Sequence, residues 1–202
     1  MKNENRPWLR VMLYLMVASI PAVFGCARSS DESLSWEKVH AMASEAFQQG
    51  RYEEAEKRWA SALRKAEKFE PEDPRLATSL DRLAFFYGTQ LKYVEAEPLY
   101  QRLLALREKV LGPIHPDVAA TLGSLAKLYQ AQGRYAEAEP LYKRALAIDE
   151  KVLGMTHPDV TMILESYVAL LRELNRANEA AQLLATHAKS DRSRTTLPIC
   201  PD

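Results

Sequence analysis

Residues Arg134–Asp159 read RYAEAEPLYKRALAIDEKVLGMTHPD, and residues Lys92–Asp117 read KYVEAEPLYQRLLALREKVLGPIHPD. The two passages are nearly the same sequence at a spacing of 42 residues, so that Tyr93 recurs as Tyr135. A fixed period of this length is typical of stacked units, each of which is one supersecondary element. The passage therefore predicts a repeat array.

The apolar residues of the repeat predict two helices per unit. In the second helix they follow the spacing i, i+3, i+4, i+7, i+8, which places them on one face of an α-helix. These residues are Ala138, Leu141, Tyr142, Ala145 and Leu146, and the preceding helix has a similar stripe at Leu122, Leu125, Ala126 and Tyr129. Gly133 between them can take the left-handed conformation that ends a helix. Each unit is predicted to be an αα-hairpin, in which small Ala126 and Ala138 let the helix backbones approach closely.

Weaker copies extend the array in both directions. Upstream, Arg51–Glu56 matches the start of the second helix at an offset of 41 residues from the next copy, and Asp73-Pro74 stands where the HPD motif begins. Downstream, Asn175–Ala180 is a further copy that has lost its Tyr. About four units are predicted in an array over 35–189, at 35–69, 74–111, 116–153 and 158–189, with a disordered C-terminal tail over 190–202.

The HPD motifs between units favour helix starts. Pro116 and Pro158 suit the first turn of a helix, where a missing N–H leaves no bond unmade. Asp117 and the equivalent Asp159 are favourable at the positive end of the helix dipole. The paired histidines of the motif, at 115 and 157, could instead hold a metal ion, but two histidines without a carboxylate partner make a weak ligand set. We interpret them as residues that begin a helix.

The composition excludes several classes of function. The chain has 202 residues with 27 basic and 27 acidic side chains, and no basic stripe with interleaved aromatics, which disfavours nucleic-acid binding. Only 7 Gly and no run of period two indicate a helical protein without a sheet. Two cysteines provide neither a disulfide framework nor a metal cluster. No nucleophile, base and orienting group recur at a plausible spacing, so we expect neither an enzyme nor a cofactor.

The N-terminus is predicted to be a signal peptide over residues 1–25. Lys2, Arg6 and Arg10 precede an apolar run over Val11–Phe24, which is short for a membrane span and typical of a signal-peptide core. An uncleaved membrane anchor and ordinary secretion are the alternatives. The segment is therefore left out of the predicted fold.

The run ends with Val23-Phe24-Gly25-Cys26, which resembles a bacterial lipobox. The resemblance implies that Cys26 receives a lipid and anchors the chain in a membrane. Small polar residues over 26–34 then form a flexible tether. Ala27 after the cysteine implies sorting to the periplasmic face of the outer membrane if the cell has two membranes.

The repeat itself resembles the tetratricopeptide repeat. The pattern Leu125-Ala126-x-x-Tyr129-x-x-x-Gly133-x-Tyr135-x-x-Ala138-x-x-x-Tyr142-x-x-Ala145-Leu146 carries the resemblance, and the HPDVA, EAEPLY and EKVLG segments resemble the kinesin-light-chain type. The resemblance implies an all-α fold, a short right-handed α-solenoid of antiparallel helix pairs. In the last copy His187 stands in the place of Ala145, and we expect it to be exposed.

The resemblance also implies a concave face, lined by the first helix of each unit, that binds a partner. The candidate partner-binding residues on that face are Asp81, Arg82, Phe85, Lys127, Gln130, Glu165 and Arg172. Where kinesin-light-chain units often carry paired Asn that contact a peptide, this chain has Asp81-Arg82 and Gly123-Ser124, so that mode of capture does not carry over.

Two functions remain open after the sequence analysis. The first is a lipid-anchored scaffold of the bacterial cell envelope that binds another envelope protein through the concave face. The second is a structural envelope protein that assembles with itself into a homo-oligomer.

Overall fold

The computed structural model describes residue 31 and residues 33–195, with side chains through residue 188. The predicted signal peptide, Cys26 and the tail over 196–202 lie outside the described residues. The chain divides into two units, residues 1–35 and residues 36–202. In the described part of the first unit, the Leu34 amide donates to the Asp31 carbonyl oxygen at 3.2 Å and closes a short turn.

Every element in the described part of the second unit is an α-helix, and there are eight. They are α1 Trp36–Gln48, α2 Tyr52–Ala66, α3 Pro74–Thr89, α4 Tyr93–Leu111, α5 Pro116–Ala131, α6 Tyr135–Val152, α7 Pro158–Glu173 and α8 Ala177–Thr195. Each helix packs mainly against its neighbours in sequence, and successive helices form the pairs α1–α2, α3–α4, α5–α6 and α7–α8. Contacts within a pair exceed those between pairs except at α7, which packs more extensively against α6 than against α8. The prediction of an all-α helical solenoid is confirmed.

Small residues hold the two helices of a pair together. Ala126 of α5 and Ala138 of α6 are both 0% exposed, so that the two backbones approach closely at this point. Tyr142 of α6 is also fully buried and fills the space beside them. One hydrophobic core runs through the array from α1 to α8.

Three helices begin with proline and with a side-chain cap in front of it. Asp73 Oδ1 accepts a hydrogen bond from the Arg75 amide at 2.9 Å before α3. His115 Nδ1 accepts from the Asp117 amide at 3.1 Å before α5, and His157 Nδ1 accepts from the Asp159 amide at 3.2 Å before α7. The histidines of the HPD motif are therefore N-cap residues, which satisfy an amide that the helix leaves free.

The turn within each pair needs one residue in the left-handed conformation. Gly133 has φ of 71° between α5 and α6, where glycine adopts this conformation without strain. Leu91 and Asn175 have φ of 58° at the equivalent turns of the second and fourth pairs. In all three turns the next amide bonds back to a carbonyl five residues earlier, for example from Arg134 to Tyr129 at 2.9 Å.

Two expectations for the last pair were wrong. Helix α8 runs to Thr195, so residues 190–195 are helical rather than part of a disordered tail. The physical reason is that the sequence has no Gly or Pro between Ala177 and Pro198 to stop the helix. His187 is not exposed, since its side chain keeps only 15% of its accessible surface. It packs beside α6, and its Nε2 lies 4.0 Å from Glu150 Oε1.

Candidate partner-binding groove

A groove of about 320 Å³ lies between α3 and α5, with α4 at its floor. We call it the α3–α5 groove. Its lining is mostly apolar or aromatic, with a few polar side chains: Phe85, Gly88, Thr89, Tyr93, Tyr100, Ser124, Lys127, Leu128 and Ala131. Such a lining, apolar with a few placed polar groups, is typical of binding sites.

Phe85 is the most exposed aromatic side chain of this groove, at 47%. Its ring meets Phe47 of α1 edge-on, with the ring centroids 6.5 Å apart. Phe47 in turn packs on Trp59 and Phe86, which are almost fully buried. Phe85 is thus supported from behind by the core between the first pair and α3, while about half of its surface faces solvent.

Polar groups stand beside the aromatic lining. Lys127 is exposed on α5, and the Tyr100 hydroxyl is hydrogen-bonded with Ser124. Burial raises the pKa of Tyr100 to about 12, and the nearby negative charge of Asp81 adds to the shift. The phenol therefore stays protonated at neutral pH and can both donate and accept a hydrogen bond.

Arg82 is a second positively charged side chain beside the groove, on the side of α1. It is exposed, and it acts on His40 of α1, whose pKa is lowered first by burial and then by the charge of Arg82. The His40 ring stacks on Trp36 with centroids 4.9 Å apart. The side of the array from α1 to α5 thus presents an aromatic surface with two cationic side chains, Arg82 and Lys127.

The family is identified by comparison with known proteins. The family model for the tetratricopeptide repeat matches residues 38–109, 76–151 and 117–193, three overlapping stretches that cover most of the chain. The chain belongs to the tetratricopeptide repeat family. Arrays of this family generally mediate protein–protein interaction and are generally non-enzymatic. No curated protein matches the chain.

Solved structures similar to this tetratricopeptide array include two of kinesin-light-chain type. The nearly identical TPR-like repeats of a kinesin light chain protein from Podosopora anserina match with 26% identity and a TM-score of 0.67, over 81% of this chain and 77% of that one. BtubC (BKLC) from P. vanneervenii matches with 20% identity and a TM-score of 0.68, over 83% and 67%. MamA from Desulfovibrio magneticus matches with 14% identity and a TM-score of 0.57, over 79% and 77%. The last two likenesses show the fold alone.

The tetratricopeptide array distributes the seven predicted partner-binding residues unevenly. Phe85 and Lys127 line the α3–α5 groove together, and Asp81 and Arg82 stand beside it. Glu165 and Arg172 are exposed on α7 and do not line the groove.

Gln130 is already engaged within the array. Its Nε2 donates to Glu173 Oε1 at 2.9 Å, and its Oε1 accepts from the Tyr142 hydroxyl at 2.9 Å. The amide therefore joins α5 to α6 and α7, and a partner would have to displace these bonds to use it.

Sequence reasoning missed the groove residues that come from second helices. Tyr93 and Tyr100 lie on α4 and reach the groove from below, together with Leu128 of α5. Tyr100 is equivalent to Tyr142, which the sequence analysis placed on the apolar stripe of the second helix, so Tyr100 was predicted to face the core. Tyr100 is indeed only 5% exposed, so it offers little surface to a bound partner.

The part of the chain that the structure describes contains no group of three or more His, Cys, Asp or Glu side chains arranged for a metal ion. Within the same described ranges, no helix combines the length and the apolar character that a membrane crossing needs.

Proposed function

We propose that this tetratricopeptide protein is a lipid-anchored scaffold of the bacterial cell envelope, which holds another envelope protein in the α3–α5 groove. The observation that carries the groove assignment is Phe85, a half-exposed aromatic ring fixed from behind by Phe47. A ring held in one position loses little entropy when it binds, and aromatic residues with arginine dominate interface energies. Arg82 and Lys127 favour a partner segment with acidic residues.

The groove assignment is tested by crosslinking in intact cells. A photo-crosslinking side chain at position 127 should attach to one protein partner, while the same side chain at position 94 should not. Val94 is a matched control because it is 84% exposed on α4 and does not line the groove. Equal crosslinking from both positions, or none from position 127, would move the site elsewhere.

Substitutions then separate binding from folding. Phe85→Ala and Arg82→Glu should each weaken capture of the crosslinked partner at least tenfold, with melting temperatures within a few degrees of the wild type. If Phe85 were mainly a core residue, Phe85→Ala would instead lower the free energy of unfolding by about 3 kcal/mol or more. Val94→Ala should change neither capture nor stability.

The anchor rests on the sequence around Cys26 and is tested separately. Acyl chains contribute about 0.8 kcal/mol for each buried methylene, so that two or three chains would hold the protein on a membrane. Cys26→Ser should abolish lipid labelling and release the protein from the membrane fraction. An N-terminal peptide without acyl mass in the wild type would contradict the anchor and leave the groove assignment standing.

Self-assembly is the second candidate, and one observation favours it. Leu184 of α8 is 38% exposed, although the equivalent Tyr142 of α6 is fully buried under α7. A helix of a second copy could cover this position in the same way. Sedimentation of the purified wild type and of Leu184→Glu over a range of concentrations distinguishes a monomer from a dimer. A monomer at all concentrations excludes this candidate, and a dimer that the substitution dissociates supports it.

A further inference from the structure

Asp149 is a buried acidic side chain at the contact between two successive helix pairs. It lies near the end of α6, is 2% exposed, and its Oδ1 has no hydrogen-bond partner in the described part of the chain. Buried carboxylates in proteins are normally paired or hydrogen-bonded, because burial of an unpaired charge is costly. Asp149 faces the contact between α6 and α7, which we call the third junction.

In the equivalent junction one repeat earlier, the polar side chain at this position makes hydrogen bonds. Arg107 occupies the position of Asp149, 42 residues before it, and its Nη1 donates to the Asp117 carbonyl oxygen at 3.1 Å and to Thr121 Oγ1 at 2.7 Å. In the third junction Ile163 stands in the place of Thr121. The hydroxyl group that could have donated to a carboxylate is therefore replaced by a hydrocarbon.

The charged groups around Asp149 come from several elements. From the start of α7, Asp159 and His157 act on its carboxyl with opposite signs. On α6 it is flanked by Glu150 and Lys151, and His187 of α8 lies 4.0 Å from Glu150. Helix α5, which also packs on α6, has Asp117 in its first turn and Lys127 in its second half as its charged residues.

We propose that Asp149 makes the third junction sensitive to pH: the protonated carboxyl packs into the junction, and the ionised carboxylate loosens α7 and α8 from the rest of the array. The neutral acid has no charge to desolvate, whereas the carboxylate would be held away from water with the negative charge of Asp159 close by. This device is independent of the α3–α5 groove, which contains no residue of α7 or α8.

The direction of the pH effect follows from linkage. Burial raises the pKa of Asp149 from 3.8 to about 6; the negative charge of Asp159 adds to the shift, while His157 opposes it. A carboxyl with a raised pKa in the folded state binds protons more tightly there than in the opened state, so its contribution to the stability of the junction is greatest at low pH. The contribution of Asp149 to the stability of the junction falls as pH rises from about 4 to about 6 and stays low above that.

Hydrogen exchange resolved along the chain tests the proposal on the full-length protein in a mild detergent. After correction for intrinsic rates, the opening constant of amides in α7 and α8 should rise on the order of ten- to a hundredfold between pH 4.5 and pH 7.5. Amides of α1 to α4 should change much less. In Asp149→Asn the rise in α7 and α8 should fall to less than about threefold, because the titrating group is gone.

Two further variants keep the test decisive. Asp149→Ala gives the third junction the residue that the first repeat has at this position, Ala66, and it should remove the pH dependence as Asp149→Asn does. Asp117→Asn is the matched control, since Asp117 is equivalent to Asp159 but belongs to the preceding junction; it should keep the wild-type rise. If both Asp149 variants keep that rise, or the wild type shows none, the proposal is wrong.

Discussion

At the scale of single residues, the paired alanines of the hairpins set the distance between helices. Ala138→Leu should destabilise the array by about 1 to 3 kcal/mol, because Ala138 and Ala126 are both fully buried and extra methyl groups would force α5 and α6 apart. Ala136→Leu is the control, since Ala136 is exposed two residues earlier, and it should stay within about 0.5 kcal/mol of the wild type. Urea unfolding measures both variants. Equal losses would show that this position does not limit the helix spacing.

The sequence predicted these buried positions because they follow from the period of the helix. The left-handed turn at Gly133 was also predicted, because a glycine at this position indicates that conformation. It did not predict that Leu91 and Asn175 take the same conformation, because there the closing bonds of the turn outweigh the steric preference of a side chain. It placed His115 correctly at a helix start but did not show that its ring nitrogen is the cap acceptor.

At the scale of helices, one carboxylate clamps each junction between successive pairs. Glu139 of α6 accepts from Arg176 Nη1 at 2.6 Å, from the Tyr167 hydroxyl at 3.2 Å and from Lys143 at 2.7 Å. The corresponding bonds in the earlier junctions are Glu97 to Arg134 at 2.6 Å and Glu56 to Lys92 at 2.8 Å. Each clamp joins a second helix to the turn of the next pair.

Removal of one clamp should loosen one junction. Glu139→Gln should lower the free energy of unfolding at pH 7 by about 1 to 3 kcal/mol, because Arg176 and Lys143 lower the pKa of Glu139 to about 2 and its side chain is only 16% exposed. A lowered carboxyl pKa means that this stabilisation is complete above the ordinary value of 4.5 and is lost as pH falls towards 2.

Urea unfolding at pH 7 and at pH 2.5 checks this prediction. The difference between wild type and Glu139→Gln should shrink at the lower pH. Glu137→Gln is the matched control, since Glu137 pairs with Arg134 only along one helix turn and is 53% exposed, and its loss should be clearly smaller. A Glu139→Gln variant as stable as Glu137→Gln would mean that the clamp adds nothing to the junction.

The sequence does not predict these clamps, although it predicts the helices that carry them. Glu139 and Arg176 are 37 residues apart, and whether they meet depends on the angle between successive pairs, which no local pattern encodes. The α3–α5 groove was predicted only in part, because its shape also depends on the angle between successive pairs. Phe85 and Lys127 were predicted from their places on first helices, whereas Tyr93 and Tyr100 enter from the helix below.

At the scale of the whole molecule, stability is a sum of neighbouring contacts. The main contacts of each helix are with helices next to it in sequence, so α7 and α8 have little direct contact with α1 and α2. Such an array loses its ends without unfolding as a unit. Two of the three tryptophans, Trp36 and Trp59, lie in α1 and α2 and contact α3, and their fluorescence therefore reports on the first pair and its junction with α3.

This arrangement predicts that a destabilising substitution in the last pair unfolds that pair without unfolding the first pair. Leu164→Ala should destabilise the fourth pair by about 2 to 5 kcal/mol, because Leu164 of α7 is 5% exposed in the core. In a Trp8→Phe background, which leaves the two tryptophans of the first pair, the helical signal in circular dichroism should begin to fall at lower urea than the fluorescence signal. Val39→Ala, a fully buried position of α1, should reverse that order. If Leu164→Ala moves both signals together to the same lower midpoint, the array unfolds as a single cooperative unit, and nearest-neighbour contacts do not describe it.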